Sequence, residues 1–547
     1  MNMNLSRIIQ KYLLVFSVFL MLNACTDETW NQHYDTNLNQ TSDKTLWDQL
    51  LVQDSLSAFR EVLDSVKVTN GYKITSIRYS DLLRDQFFTV FAPIDHSFNK
   101  DSLLAMCATV AGNKIVEEQF IMSHLARTPY SLSPNLDKMA HMLNGKYLVF
   151  KDSALADVPL IPSQSNIVAK NGLIHLVNGQ IPYMRNIYEN IIDLPEYSGM
   201  GSFLKKYQKD SLDEAASLVA GVNDMGVLVY IDSVLIKNNQ LLNNFGLLNS
   251  EDSTYHMIAP SKAGWDAGYT KVSKYFNFGT INGADSLRSY WTNYSLMKDL
   301  FFNWTMQLSP SDSLISTQYQ YWLSEQKLHV FYNPFTSNGV LADAQQVKAS
   351  NGIIYKVNTW PYNMESVFFT PIIAEAESDK NIRYVSKDSF NVYQRQYFAD
   401  SVSSNGYLDI NPKTPSVQTD VTFSIPNTLS GKYDVSAVIL PRNITDRTDK
   451  RGNKFNAFLT YNQANGTTPT IFQCKTIPGG STIFMNKTNK VDTVLLTTVT
   501  LPSCNYKQNK VTVTLRLKSI VTQKEINAKT FTNQMYIDCL YLKPRQN

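Results

Sequence analysis

The sequence predicts a multidomain chain, α+β and then all-β: two α+β domains built on one pattern, followed by an antiparallel β-sandwich of jelly-roll type. Three observations carry that prediction. The segments Thr89-Val90-Phe91-Ala92-Pro93 and Asn171-Gly172-Leu173-Ile174-His175 are echoed in the same order by Ile258-Ala259-Pro260 and Asn351-Gly352-Ile353-Ile354-Tyr355. After about residue 368 helical spacing gives way to short alternating segments punctuated by Gly, Pro and Asn. The chain has 547 residues, enough for three or four domains at roughly 100–200 residues each.

Composition narrows the function. Hydrophobic residues make up 43% of the chain and charged residues 18%, which supplies packed cores and excludes a mainly disordered protein. A formal charge of +3 carries no polyanion signal, so nucleic acid is not an expected partner. Tyr (30) and Phe (27) are abundant while His (7) and Cys (5) are scarce, which favours binding or scaffolding over metal or thiol catalysis.

The first residues carry an address. Arg7 and Lys11 precede an apolar run, residues 12–22, that has the length of a signal-peptide core and is too short to span a bilayer. It ends in Leu22-Asn23-Ala24-Cys25, which resembles a bacterial lipobox. That resemblance implies cleavage after residue 24 and acyl chains on Cys25 anchoring the chain in outer-membrane lipid. Asp27 and Glu28 resemble the acidic export signal of Bacteroidota surface lipoproteins, and the polar stretch 25–45 reads as a tether. The expected location is the outer face of the outer membrane.

Along residues 45–69, Leu46, Leu50, Leu51, Leu56, Phe59, Val62, Leu63 and Val66 recur at helical spacing. The run Phe87–Phe91 reads as a strand ended by Pro93, with Asp95 or Ser97 placed to cap a following helix. Residues 166–179 read as strand, Asn-Gly turn, strand, because Asn and Gly tolerate positive φ. In the last third, 421–425, 433–440, 511–517 and 536–542 alternate as half-buried strands.

Thr89, Phe91, Ala92, Pro93 and Phe98, a central His124, and later Asn171, Gly172 and His175 together resemble the two signature motifs of a fasciclin domain over residues 46–182. Ser123 stands where that family usually has Tyr. Ala259, Pro260, Asn351 and Gly352 mark a divergent second copy over 186–362, whose middle lacks a central His and holds aromatics instead. The resemblance implies structural roles for these residues, and adhesion or protein contacts as function. Residues 368–547 resemble galactose-binding-like jelly rolls, including carbohydrate-binding modules, through Glu375-Ala376-Glu377, the Ser430-Gly431-Lys432-Tyr433 hairpin and Ile537-Asp538 in the final strand.

A search for chemistry returns little. There is no Gly-x-Ser-x-Gly elbow, no His-Glu-x-x-His, no phosphate loop and no His beyond His329. His96, His124 and His175 lie within or beside apolar motif segments and read as structural polar groups. Glu375 and Glu377, two apart on a strand, point the same way; acids so placed hold a structural calcium in jelly rolls that this region resembles, and the other reading is a solvated strand edge. No other cofactor is expected. Trp304, Trp322, Tyr332 and Trp360 belong to an aromatic group that offers either a stacking surface for sugar or partner, or core packing. Cys107, Cys474, Cys504 and Cys539 read as buried thiols, with Cys474–Cys504 the pair placed for a bridge if one forms.

The expected function is therefore a non-enzymatic surface lipoprotein. Its build resembles accessory subunits of nutrient-uptake complexes, with a SusC-like TonB-dependent porter and a SusD-like lipoprotein as partners and glycan or peptide as ligand. An adhesin for host matrix or neighbouring cells, and a hydrolase with its site in the C-terminal sandwich, are the alternatives.

Overall fold

The computed structural model describes residues 42–545 except 71–72, 213–217, 223–224, 227, 233–234, 304–311, 318–328, 379–382 and 387. Cys25, Asp27, Glu28, Trp304 and Trp322 lie outside the described residues. The architecture is mixed α+β with many sheets. The described residues fall into two compact units, those up to 184 with those of 210–236, and those of 185–209 with those from 237 onward. Residues 210–236, which the sequence places inside the second domain, thus cluster with the first unit.

In the first unit β1 (Phe88–Pro93), β2 (Leu125–Ala126), β3 (Ile167–Ala169) and β4 (Gly172–Val177) form a sheet in the order β2-β1-β4-β3. β1 and β4 run parallel, Phe88 opposite Gly172 through Pro93 opposite Val177. Every residue of both strands is buried, so the near-continuous apolar runs are what a doubly covered parallel pair requires. Helices Leu46–Leu51, Ser57–Ser65, Tyr79–Asp85 and Val110–Gln119 supply Leu46, Leu50, Phe59, Val62, Leu63, Leu83 and Val116 to the core on it. The helical spacing over 45–69 is broken by a short turn at 52–56, leaving two helices rather than one.

The second unit repeats this design. β5 (Tyr255–Pro260), β6 (Phe301–Asn303), β7 (Gln345–Ala349) and β8 (Gly352–Val357) are ordered β6-β5-β8-β7, with β5 parallel to β8 and Tyr255 opposite Gly352 through Pro260 opposite Val357. The register match is residue for residue with the first copy. It is set by one dipeptide. Asn171 Oδ1 accepts Leu46 N–H at 2.8 Å, and its Nδ2 donates to the Leu83 and Gln86 carbonyls at 3.0 and 2.7 Å. Asn351 does the same with Ile187 N–H at 2.8 Å and the Leu248 and Ser250 carbonyls at 2.9 Å each. Beside them, a Cβ on Gly172 or Gly352 would sit 1.9 or 2.0 Å from the carbonyl oxygen of Phe88 or Tyr255. Only Gly lets the parallel strands approach. The Asn is therefore present for side-chain bonds that tie the start of the first helix to the chain leading into the parallel strand, a different reason from the turn preference the sequence suggests.

Asp95 caps a helix, but an earlier one: its carboxylate accepts Ser57 N–H at 3.1 Å and Ala58 N–H at 2.8 Å, while Asn99 caps the helix that follows.

The C-terminal region is an antiparallel sandwich. In chain order its strands are β9 (Ile372–Glu375), β10 (Arg383–Tyr384), β11 (Phe390–Gln396), β12 (Gly406–Pro412), β13 (Asp420–Ser424), β14 (Gly431–Ile439), β15 (Lys454–Asn462), β16 (Pro469–Gln473), β17 (Phe484–Met485), β18 (Asp492–Leu501), β19 (Thr514–Ser519) and β20 (Met535–Arg545). One sheet runs β11-β12-β20-β14-β18 with β9 also on β20; the other runs β10-β13-β19-β15-β16 with β17 also on β15. Alternation decides the faces: Val435, Ala437, Ile439, Ile537 and Leu540 of the first sheet share a core with Val421, Phe423, Phe455, Ala457, Leu459, Leu515 and Leu517 of the second. The expected strand at 511–517 begins later, at Thr514.

The sandwich is fastened to the second α+β copy within this unit. Asn277 Nδ2 donates to the Pro502 carbonyl at 2.7 Å, and its own carbonyl accepts Cys504 N–H at 2.6 Å. Ser430 N–H donates to the Tyr275 carbonyl at 2.9 Å. Trp291 meets Tyr506 edge to face at 4.9 Å.

Candidate functional site

The first site lies on the outer face of the β9-bearing sheet. β14 and β20 slip register between Ala437 and Ile439, so an extra residue is accommodated at Asp538-Cys539 of β20. Bulges re-aim side chains. Here the slip brings Asp538 to Glu375, whose strand β9 pairs with β20 at Cys539. A carboxylate oxygen of Glu375, one of Asp538 and the Cys539 Sγ all lie within 4.8 Å of one another. Glu377 closes the cluster from Gly406: a Cβ there would come 2.5 Å from Glu377 Oε1, so the missing side chain is the room that carboxylate occupies. The turn at 403–405 frames the other side. Ser403 N–H donates to both Asp538 oxygens at 3.2 and 3.1 Å, and the Ser403 and Ser404 hydroxyls donate to Glu375 Oε1 at 2.5 and 3.0 Å.

Burial, together with the nearby charges of Glu375 and Glu377, pushes the Asp538 carboxyl up to about 7, against the pull of the Ser403 N–H. Burial and the Asp538 charge push the Cys539 thiol up as well, so the sulfur stays protonated. Two converging carboxylates, Glu375 and Asp538, with Glu377 close by, supply the oxygen donors that a hard cation such as Ca²⁺ takes, and one sulfur with no imidazole beside it is not the donor set of a typical Zn²⁺ site. Glu375 and Glu377 were legible in the sequence as a pair. Asp538 entered the sequence reading only as part of the final strand's pattern and not as a ligand; the available signal is that it is the one acid in that strand.

The second site is the outer face of the other sheet. Cross-strand register places Tyr384 (β10) beside Thr422 (β13), Thr422 beside Arg516 (β19), Arg516 beside Phe458 (β15) and Phe458 beside Gln473 (β16). Tyr384 is 74% exposed. The Arg516 guanidinium lies over Phe458, 5.8 Å from the ring centroid, and its Nε donates to Asp420 Oδ1 at 2.7 Å while Nη2 bonds the other Asp420 oxygen. Thr460, Thr514, Ser424 and Asn456 complete the face. Asn456 Nδ2 donates to the Thr482 carbonyl at 2.6 Å, which pins the 474–483 loop along one flank.

The motif histidines are structural. His124 is fully buried; its Nδ1–H donates to the Phe120 carbonyl at 2.7 Å and its Nε2 accepts Ile181 N–H at 3.1 Å. His175, also buried, donates from Nε2 to the Tyr130 carbonyl at 2.7 Å and accepts Asn166 N–H on Nδ1 at 3.3 Å. Burial lowers both to about 4, so both rings are neutral at pH 7. His96 differs: it is exposed, at φ 68°. Thr89, Phe91, Ala92 and Pro93 are buried in β1, Ala259 and Pro260 in β5, and Phe98 is half-buried against Phe120.

The expected aromatic surface is not brought together among the described residues. Trp360 is a core residue whose Nε1–H donates to the Leu296 carbonyl at 3.0 Å, whereas Tyr332 on a short strand is 72% exposed. The sequence grouped them because both are aromatic in an aromatic-rich stretch; the helix–strand packing separates them. Cys474 and Cys504 are unbridged buried thiols, each pushed to about 12 by burial.

No family model matches the chain, and no curated protein matches it. Among solved structures, the CBM22-1–GH10 modules of xylanase 10B from Clostridium thermocellum are similar at 7% identity over 32% of this chain and 28% of that one, TM-score 0.22. CBM35 from Cellvibrio japonicus Abf62 is similar at 12% identity over 32% of this chain and 95% of that one, TM-score 0.17. A family 35 carbohydrate-binding module from Clostridium thermocellum gives 13% identity over 31% and 97%, TM-score 0.16. The chain spans about a quarter of the xylanase it matches, 28% of its length.

Proposed function

We propose that this chain is a non-enzymatic surface lipoprotein whose C-terminal sandwich holds glycan, serving as an accessory subunit of a SusC/SusD-like uptake complex. The observation that carries glycan binding is the open face centred on Arg516. It sets two aromatic rings, Tyr384 and Phe458, among Thr, Ser, Asn and Gln side chains on a rigid sheet. Sugar rings need that combination, an apolar plane to stack on and neutral hydrogen-bonding groups around it.

The anchor follows from the lipobox at Cys25 and the acidic pair Asp27-Glu28, and the two α+β copies are the surfaces that meet the porter and its SusD-like companion. Glu375, Glu377 and Asp538 would hold a calcium ion that ties the first strand of the sandwich to the last, a structural role.

Two measurements test this. Immobilised-glycan binding by the mature chain should be lost or sharply weakened in Phe458→Ala and Tyr384→Ala; retention of no glycan, or binding indifferent to both changes, refutes the ligand reading. A mild-detergent pull-down from native outer membranes should return a stoichiometric porter and SusD-like protein, and a lone lipoprotein refutes the uptake assignment.

A further inference from the structure

Resting on that reading, we infer that the ligand is an electrically neutral, extended glycan chain, gripped along internal units and lying across the strands, with Asp420 as the residue that sets this preference. The register draws one straight row, Tyr384–Thr422–Arg516–Phe458–Gln473, perpendicular to the strand direction and crossing all five strands of the sheet path. Four inter-strand gaps span about 19 Å. A pyranose unit is about as long as one such gap, so the row accommodates about four units. Among the described residues the row runs from one edge strand of the path to the other, and the loop 474–483, which leaves directly after Gln473, is tied through Thr482 to Asn456, two residues along β15 from the row. A row laid across a sheet from edge strand to edge strand suits the middle of a chain, where a pocket would take a terminus.

Charge decides the chemical class. A guanidinium is the side chain that selects carboxylate, because its paired N–H groups match two oxygens at once. Arg516 is the guanidinium at the centre of this row, and its fork is already closed on Asp420 through Nε and Nη2. Held so, Arg516 contributes a flat plate over Phe458 instead of a binding clamp. Lys518, across from Asp420 on the neighbouring strand, adds one positive charge to the flank but no planar fork. The other groups on the row and beside it, Thr422, Thr460, Thr514, Ser424 and Gln473, are neutral donors and acceptors suited to sugar hydroxyls. Asp420 therefore acts by occupying Arg516; it is a positioning residue.

The test is calorimetric titration of the detergent-solubilised full chain with neutral linear β-1,4-linked gluco-, manno- and xylo-oligosaccharides of one to six units, and with oligogalacturonate of matching length. The expected result has three parts. Affinity for a neutral series rises with length and levels off at about four units, blocking the reducing end changes nothing, and raising salt from low to high leaves Kd within about twofold because no net charge is neutralised. Asp420→Asn should then gain at least tenfold for oligogalacturonate, because it releases the Arg516 fork while preserving shape. Arg516→Gln should weaken neutral binding without any gain for the acidic chain, which keeps the inference testable if Asp420→Asn misfolds. Wild-type preference for oligogalacturonate, saturation at a single sugar, or an unchanged preference in Asp420→Asn overturns this inference and leaves glycan binding standing. If the wild type binds none of the probes, glycan binding on this face itself fails.

Discussion

The two buried histidines of the first copy make its stability depend on pH in one direction. Both are neutral in the folded state with pKa held near 4 by burial. In the unfolded chain a His titrates near 6.5. The folded value is depressed, so the stabilisation is complete above about pH 6.5 and is lost as pH falls toward about 4, because unfolding takes up protons that the folded state refuses. Between pH 7 and 5 each ring contributes a loss of about 2 kcal/mol, and the pair about 4 kcal/mol. That is a large share of the 5–15 kcal/mol that typically holds a domain together.

Hydrogen exchange by mass spectrometry on the mature chain reads it directly, using peptides covering β1 and β4. After correction for the intrinsic pH dependence of exchange, their protection should fall by about a thousandfold between pH 7 and 5. In His124→Gln or His175→Gln the same slope should drop by about half. Gln can still offer one donor and one acceptor, and a lower starting stability does not alter the slope. Equal slopes in wild type and both variants would show that the rings are not the titrating groups.

Three further outcomes are expected. Asn351→Ala orphans the buried Ile187 N–H and the Leu248 and Ser250 carbonyls, so urea denaturation should show a loss of about 4 kcal/mol. Asn171→Ala, at a more exposed position, should cost less. Calcium should raise the melting temperature of the wild type by several degrees, and Glu375→Gln with Asp538→Asn should abolish the rise; a calcium shift that survives both changes refutes the carboxylate site. Cys25→Ala should move the chain from the membrane fraction to the soluble fraction after a high-salt wash, and a variant that stays bound refutes the anchor.

Much of this was legible where local pattern and tertiary role coincide. The sandwich strands alternate because one face is buried, and the Asn-Gly dipeptides mark both copies because only Gly admits the parallel neighbour. The rest depends on partners distant in sequence. Asp95 was legible as a cap but not as a cap for the helix before it, since the chain reverses before that carboxylate is used. Asp538 joins Glu375 only through a register slip, which leaves no mark in composition. Trp360 and Tyr332 are chemically alike in sequence and opposite in burial. The face centred on Arg516 was invisible, because its five row residues come from five separate strands and none forms a motif.

The weak second copy has a physical explanation in what it packs against. Its helix Ala284–Met297 carries Tyr290, Trp291 and Tyr294; Tyr290 packs on Phe203 and Tyr207, Tyr294 on Phe245, and Trp291 on Tyr506 of the sandwich. Aromatic pairs of this geometry contribute about 0.5–1.5 kcal/mol each beyond the area they bury. Tyr290 and Tyr294 thus pack within the copy itself, while Trp291, together with Asn277 bonded to both Pro502 and Cys504, serves the sandwich in the same chain. Cys504 reports on that seam: its thiol is buried, pushed up to about 12, and its N–H is held by Asn277, whereas Cys474 sits in the sandwich core away from the Asn277 contacts. Trp291→Ala should therefore speed iodoacetamide labelling of Cys504 by roughly tenfold, the loss of about one aromatic contact, and leave Cys474 unchanged. If both thiols accelerate together, the sandwich opens as a whole and Trp291 stabilises it globally. If neither does, the seam is held by the Asn277 bonds alone and the aromatic explanation of the divergence is wrong.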